Sequence, residues 1–244
     1  MEPLKLTDLR GALIRQEETI IFAMIERAQF CHNPPIYEPG AIAIPDFDGS
    51  FSDYLLQQTE HIHARVRRYT SPDEHAFFGD LPEPILPSLA YSARILDTDI
   101  NVNDRIRQIY RANILPAICP PGDDGHYGSS ATCDVACLQA LSKRIHYGKY
   151  VAECKYQEET GPYTELVVAD DRAGILDRLT KPEVETAVLE RVRHKAAAYG
   201  RDIADESTGG GDLDPAAIQT MYRDYIIPLT KDVEIDYLML RAHP

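Results

Sequence analysis

The 244-residue chain sets 25 Lys and Arg against 39 Asp and Glu, a formal charge of −14, the wrong sign for following a phosphate backbone over a broad surface. Nucleic acid is therefore not expected as a partner, and an anionic ligand needs a local pocket that overcomes the surrounding field. A 44% apolar content can fill a core, no segment approaches the roughly 18 uninterrupted apolar residues of a membrane span, and five cysteines do not make a disulfide framework. The opening MEPLKLTDLR lacks the basic stretch and apolar run of a secretory signal. These features predict a reduced, cytoplasmic protein without membrane contact.

The period along the chain is helical. Thr7 can cap a first helix through LRGALIRQEETIIFAMIERAQF, where Leu9, Leu13, Ile20, Met24 and Ala28 recur near helical spacing. A second stripe of that helix mixes Arg10 and Glu17 with Ile14 and Ile21. Its arginine either forks onto a carboxylate or pairs with Glu17 on the surface. Proline and glycine break the chain from Pro34 to Gly49, and a second helix runs from about Phe51 to Tyr69. Arg67 and Arg68 end it, where the helix dipole favours cations. Pro72, Pro82, Pro84 and Pro87 make residues 70–101 a long loop with room for short helical turns.

Asn103 to about Ile118 reads as a third helix with one late proline, followed by the turn-rich CPPGDDGHY. Ser129 or Ser130 then opens a long helix reaching about Gln157. Its start, YGSSAT, offers free N–H groups that suit an anion or ordinary capping equally. Helical stretches follow near 163–179 and 182–199, then the loop STGGGD (207–212). Asp214 followed by Pro215 is a cap-then-first-turn signal for a last helix to Arg241, kinked at Pro228. No hairpin dipeptide sits between alternating runs, and no repeat is present. The expectation is an all-α single domain over residues 1–244.

Two constellations carry chemistry. In LSKRIHYGKYVAECK (141–155), positions 144, 148, 151 and 155 of a continuous helix share a face, with Arg144 and Lys155 roughly 16 Å and about 20° apart. Gly148, Val151 and Ala152 lie between, giving a trough with a cation at each end. Gly148 costs about 1 kcal/mol in a helix interior relative to Ala, so it either makes room for a ligand or allows close helix packing with the cations solvated. Lys143, His146 and Lys149 fall off that face and read as surface or packing residues. In PLTKDVEIDY, Thr230 and Glu234 share a face and enter one pocket or form a solvent stripe, while Lys231, Asp232 and Asp236 point elsewhere. Cys133 and Cys137 lack a second ligand pair, so no metal is expected. The glycines at 209–211 are not a phosphate loop, and no Gly-x-Ser-x-Gly elbow occurs.

RQEETIIFAMIERAQF, GSSATCDVACLQALSKRIHYGKYVAECKY and IIPLTKDVEIDYLMLR, in this order, resemble the fungal and plant chorismate mutases over about residues 5–241. RIHYGKYVAE together with PLTKxVExxYL is the specific part. The resemblance implies an all-helical homodimer of about a dozen helices with a kinked C-terminal helix, and one buried site per subunit without cofactor or metal. It implies the Claisen rearrangement of chorismate to prephenate, on the route to phenylalanine and tyrosine. A unimolecular reaction of this kind is accelerated by holding the reactive conformer and stabilising developing charge.

By the same resemblance, Arg10 and Arg144 match the arginines that bind the two substrate carboxylates. Lys155 matches the donor to the ether oxygen, and Glu234 a glutamate near that oxygen, which donates only when protonated. Glu185 matches the group that binds the substrate hydroxyl, and Thr230 a further pocket hydroxyl. Lys181 stands where the fungal pattern has asparagine, and either contacts a carboxylate or points to solvent. An effector site between subunits, activated by tryptophan and inhibited by tyrosine in many members, is matched by Arg67 and Arg68 from one subunit. Gly128, Ser129 and Thr132 match the groups from the other, with Gly125 and His126 departing from the fungal pattern. The other reading is a catalytically silent helical homologue that binds aromatic amino acids. Retention of Arg10, Arg144, Lys155, Glu185, Thr230 and Glu234 favours the enzyme.

Overall fold

In the computed structural model of the protein, residues 4–89, 95–204 and 213–242 are described. The regular elements among them are helices, and an isolated bridge pairs Ile44 with Phe47. Helix α1 (Leu6–Ala28) begins before the expected cap: Lys5 holds the N-cap position, and Thr7 lies inside the first turn with its hydroxyl 3.5 Å from Asp8. Ile20, Ile21, Met24 and Ala28 are its buried stripe. Helix α2 (Phe51–Arg65) is opened by Ser50, whose hydroxyl accepts from the Asp53 N–H at 3.2 Å. It stops short of Tyr69 because Arg67 adopts a left-handed conformation (φ 59°), which a continuing helix cannot contain.

The third expected helix is continuous but uneven: α3 (Asn103–Ile109), a π turn π1 (Tyr110–Ile114) and α4 (Leu115–Ile118). The last helix repeats the arrangement as α10 (Pro215–Met221), π2 (Tyr222–Ile226) and α11 (Ile227–Arg241). Each π turn closes just before a proline, Pro116 and Pro228. A helical proline lacks the N–H and collides with the carbonyl four residues back. Those carbonyls, of Ala112 and Asp224, lie inside the widened turns. The bend expected at Pro228 is therefore a π turn preceding it. Asp214 caps α10 as expected, its carboxylate accepting from the Ala216 N–H at 2.8 Å.

Two further expectations are corrected. The helix expected to reach Gln157 is two, α5 (Tyr127–His146) and α6 (Gly148–Glu158), divided at Tyr147. The stretch 163–179 is also two, α7 (Thr160–Val168) and α8 (Arg172–Leu179). Asp170 sits there at φ 52°, and Asp171 caps α8 through the Gly174 N–H at 2.8 Å. Helix α9 (Pro182–Ala204) runs longer than expected, and STGGGD lies outside the described residues.

Helix α1 packs along α5, while α11 lies against both α5 and α6. One apolar cluster joins Ile20 and Met24 of α1 to Leu138 and Leu141 of α5, Val192 of α9 and Val233 of α11. A second gathers Ala152, Tyr163, Ile175 and Leu238 beneath α6, α7, α8 and α11. At roughly 1.5–3 kcal/mol per buried aliphatic side chain, these clusters fix α11 across the junction of α5 and α6. Among the described residues, no helix is long and apolar enough to cross a membrane.

Candidate active site

Gly148 decides how closely α11 approaches. A Cβ there would stand 2.9 Å from the Thr230 carbonyl oxygen, 3.1 Å from Thr230 Cγ2 and 3.3 Å from Glu234 Cγ. The backbone of α11 therefore lies directly on the start of α6: of the two readings of Gly148 the close packing is present, it brings Thr230 and Glu234 to the Arg144–Lys155 face, and Arg144 is buried there rather than solvated. Lys155 Nζ donates to Glu234 Oε2 at 3.1 Å and to the Leu179 carbonyl at 3.1 Å. Glu234 is 6% exposed.

At the other end, Arg144 closes α5 and is 7% exposed. Its Nη1 reaches Thr230 Oγ1 at 3.5 Å, a marginal contact, and its Nε is buried without a hydrogen-bond partner. Thr230 gives its own proton to the Ile226 carbonyl at 2.7 Å. No carboxylate among the described residues pairs with Arg144. The trough thus holds two cations and one anion, in a chain of charge −14. An unmatched buried charge costs several kcal/mol, so the arrangement has the chemistry to take up an anion.

Glu185, on the first turn of α9, pairs with Lys231 Nζ at 2.5 Å, and Lys231 also donates to Thr180 Oγ1 at 2.9 Å. Lys231, set aside on periodicity, therefore joins α11 to α9 beside Thr230. Lys181 precedes α9, exposed and without a side-chain partner among the described residues. Arg10 is likewise exposed and unpartnered, although its neighbour Leu9 packs with Val151 and Cys154 of α6. The Arg10–Glu17 surface pair does not form: Glu17 is 1% exposed and is gripped by Arg191 at 2.6 and 2.8 Å, with Lys195 at 3.6 Å.

Sequence reasoning missed a second clasp between α6 and α11. Glu153 accepts from Tyr237 at 2.5 Å, Arg241 at 2.9 Å and Gln157 at 2.8 Å. Burial alone would raise the Glu153 carboxyl, but these donors hold it below its ordinary range. The signal was available, since Tyr237 and Arg241 are one helical turn apart on a single face.

The expected effector residues stay separate within one chain. Arg67 donates to the Pro87 carbonyl, and Arg68 is bound by Glu74, His63 and Gln139. Gly128, Ser129 and Thr132 are exposed at the start of α5, where Thr132 donates to the Gly128 carbonyl at 2.8 Å. Gln139 lies roughly 10 Å further along that helix than Thr132. Surface hollows elsewhere, one between Asn113 and Tyr225 and one where Arg172 pairs with Asp236, offer no buried unmatched charge. The chemistry concentrates at Arg144 and Lys155.

A family model described as Chorismate mutase type II matches residues 126–235. The chorismate mutase of Emericella nidulans is 50% identical over 247 residues, spanning 98% of this chain and 92% of that protein. The crystal structure of chorismate mutase from Candida albicans in complex with L-Trp aligns with a TM-score of 0.92 at 42% identity, covering 99% of this chain and 94% of that one. Another solved structure, with tyrosine bound in its allosteric site, aligns with a TM-score of 0.91 at 43% identity, covering 98% and 97%.

Proposed function

The chain belongs to the chorismate mutase family and converts chorismate to prephenate, and from that premise we propose how its own residues divide the work. Arg144 takes one substrate carboxylate. Its buried, unpartnered Nε is the observation that carries this assignment, because a planar guanidinium binds a carboxylate by two parallel bonds. Arg10, unpaired among the described residues, takes the other. Lys155 donates to the ether oxygen, which gains negative charge as the C–O bond breaks. Glu234, 3.1 Å from that ammonium, serves the same oxygen, donating to it when protonated. Glu185, held by Lys231, accepts the substrate hydroxyl, Thr230 lines the pocket, and Lys181 adds a cation at the rim. A unimolecular rearrangement needs no nucleophile or cofactor, so these groups act by positioning and charge stabilisation.

The assignment is tested by chorismate saturation curves for the wild type and Arg144→Ala. A drop in kcat/KM of less than about tenfold, or 1.4 kcal/mol, would remove Arg144 from the mechanism.

The same reading makes the protein a cytoplasmic, single-domain homodimer whose effector site joins two subunits. Free thiols at all five cysteines suit a reducing compartment. Ile62, Val66 and Ile85 are 65%, 53% and 72% exposed around Arg67, an apolar patch suited to a second copy. Tryptophan and tyrosine are the effectors, supported by their presence in the two solved relatives. The first-turn N–H groups of Gly128 and Ser129, with the exposed Thr132 side chain one turn on, meet the amino acid's carboxylate from one side, with Arg67 and Arg68 across the interface. Sedimentation of the protein, with and without each amino acid, tests the assembly.

A further inference from the structure

Arg68 is already occupied. Its Nε donates to Glu74 Oε2 at 3.0 Å, and its Nη1 contacts His63 Nδ1 at 2.9 Å and Gln139 Oε1 at 2.7 Å. A carboxylate gripped at two points uses either the Nε and Nη2 edge or the Nη1 and Nη2 pair. An incoming carboxylate therefore displaces Glu74 on one edge, or Gln139 and His63 on the other. Glu74 can yield without becoming an unpaired charge, because Lys143 Nζ of α5 also binds it, at 2.7 Å.

The residue after Glu74 reaches the catalytic helix. His75 Nε2 is 2.6 Å from Lys149 Nζ, and its ring stacks on His146 with centroids 4.1 Å apart. His146 is fixed in one tautomer: Nδ1 donates to the Ser142 carbonyl at 2.8 Å, and Nε2 accepts from the Val102 N–H at 2.9 Å. Lys149 is 3% exposed in the first turn of α6, adjacent to Gly148. Burial pushes its ammonium down to about 8, against a weaker pull from Asp97, and a cation at a helix N-terminus is further disfavoured by the dipole. No carboxylate among the described residues lies within hydrogen-bond distance of it. The position of this under-satisfied cation is therefore set by the His75 imidazole.

We infer that the Glu74–His75 segment links the effector site to the catalytic helix: an effector carboxylate competes with Glu74 for Arg68, and the shift passes through His75 and Lys149 to Gly148, where α6 abuts Thr230 and Glu234. The inference rests on the effector reading given above. It gives the coupling a physical content, since the two sites then share one segment whose contacts differ between the free and bound states.

The test uses the full chain and the variants Glu74→Gln, His75→Leu and Lys149→Met. Calorimetry measures binding of L-tryptophan and L-tyrosine, and chorismate saturation curves measure how far each amino acid shifts half-saturation. Glu74→Gln, having lost the competitor, binds effector about tenfold more tightly, equivalent to 1.4 kcal/mol. His75→Leu and Lys149→Met still bind effector and retain turnover at saturating chorismate, but the shift falls to less than half that of the wild type. Unchanged shifts in both of these variants overturn the link, as does unchanged effector affinity in Glu74→Gln. A wild type that binds neither amino acid instead overturns the effector reading, and the link with it.

Discussion

Two buried arginines serve one helix in opposite ways. Arg27 of α1 is fully buried, and all five of its N–H donors are used. Nε meets Asp134 at 2.7 Å, Nη1 the Phe30 and Cys31 carbonyls, and Nη2 the His32 carbonyl and the Tyr37 hydroxyl. Asp134 of α5 is closed in turn by Tyr37 at 2.6 Å and Tyr110 at 2.7 Å. Burial works against the Arg27 charge, and Asp134 more than restores it. Ten residues along α5, Arg144 has one marginal contact and an orphaned Nε. Burial is thus common to both sites, and satisfaction separates them. The closed set fastens α1 to α5, whereas the open one leaves most of its donors unspent.

The comparison breaks most readily at Arg144. Arg144→Ala lowers kcat/KM by roughly a thousandfold, about 4 kcal/mol of transition-state stabilisation, while the melting temperature holds or rises. A large loss of stability would make Arg144 a second structural arginine. Asp134→Ala should do the reverse, costing about 3 kcal/mol in denaturant titrations by stranding the Arg27 charge, with kcat per folded molecule unchanged.

Acid sharpens the contrast at a third buried group. His146 is pushed down to about 4 by burial, so between pH 6.5 and 4 the unfolded chain takes up a proton that the folded chain refuses. Stability then falls as pH drops through that window, by up to about 3 kcal/mol. Urea midpoints across the range measure this, and His146→Gln should reduce the slope.

Gly148→Ala presses a methyl against the Thr230 carbonyl and costs about 1–2 kcal/mol of packing. It should lower kcat more than stability, because Thr230 and Glu234 are what it displaces. Lys181→Ala is the smallest change. Its exposed, unpartnered side chain predicts less than about a twofold effect on kcat/KM, within the few tenths of a kcal/mol typical of surface substitutions.

Much of this was legible in the sequence, for physical reasons. Helical periodicity placed the buried stripe of α1, and the Asp214–Pro215 pair marked the start of α10, because both are local. The spacing of Arg144, Gly148 and Lys155 put them on one face, and all three do meet α11, although the helix carrying them breaks at Tyr147. Long-range pairing was not legible. Nothing near Glu17 indicates that Arg191 will take it, and nothing near His75 announces Lys149. Periodicity turns Lys231 off the Thr230–Glu234 face, but it gives no sign of the partner Glu185, which arrives from another helix altogether.

The π turn Tyr222–Ile226 is in effect a one-residue insertion into a straight helix. An ideal helix turns about 100° per residue, so every side chain of α11 is rotated by about that angle from where α10 alone would have put it. Thr230 and Glu234 face Gly148 because of that offset. Deleting one residue from the turn would restore regular hydrogen bonding and swing both side chains off the trough, leaving a more regular helix carrying the same residues to the wrong address. Sequence alignments that place a gap within 222–226 thus speak about the active site, although no residue there needs to touch substrate.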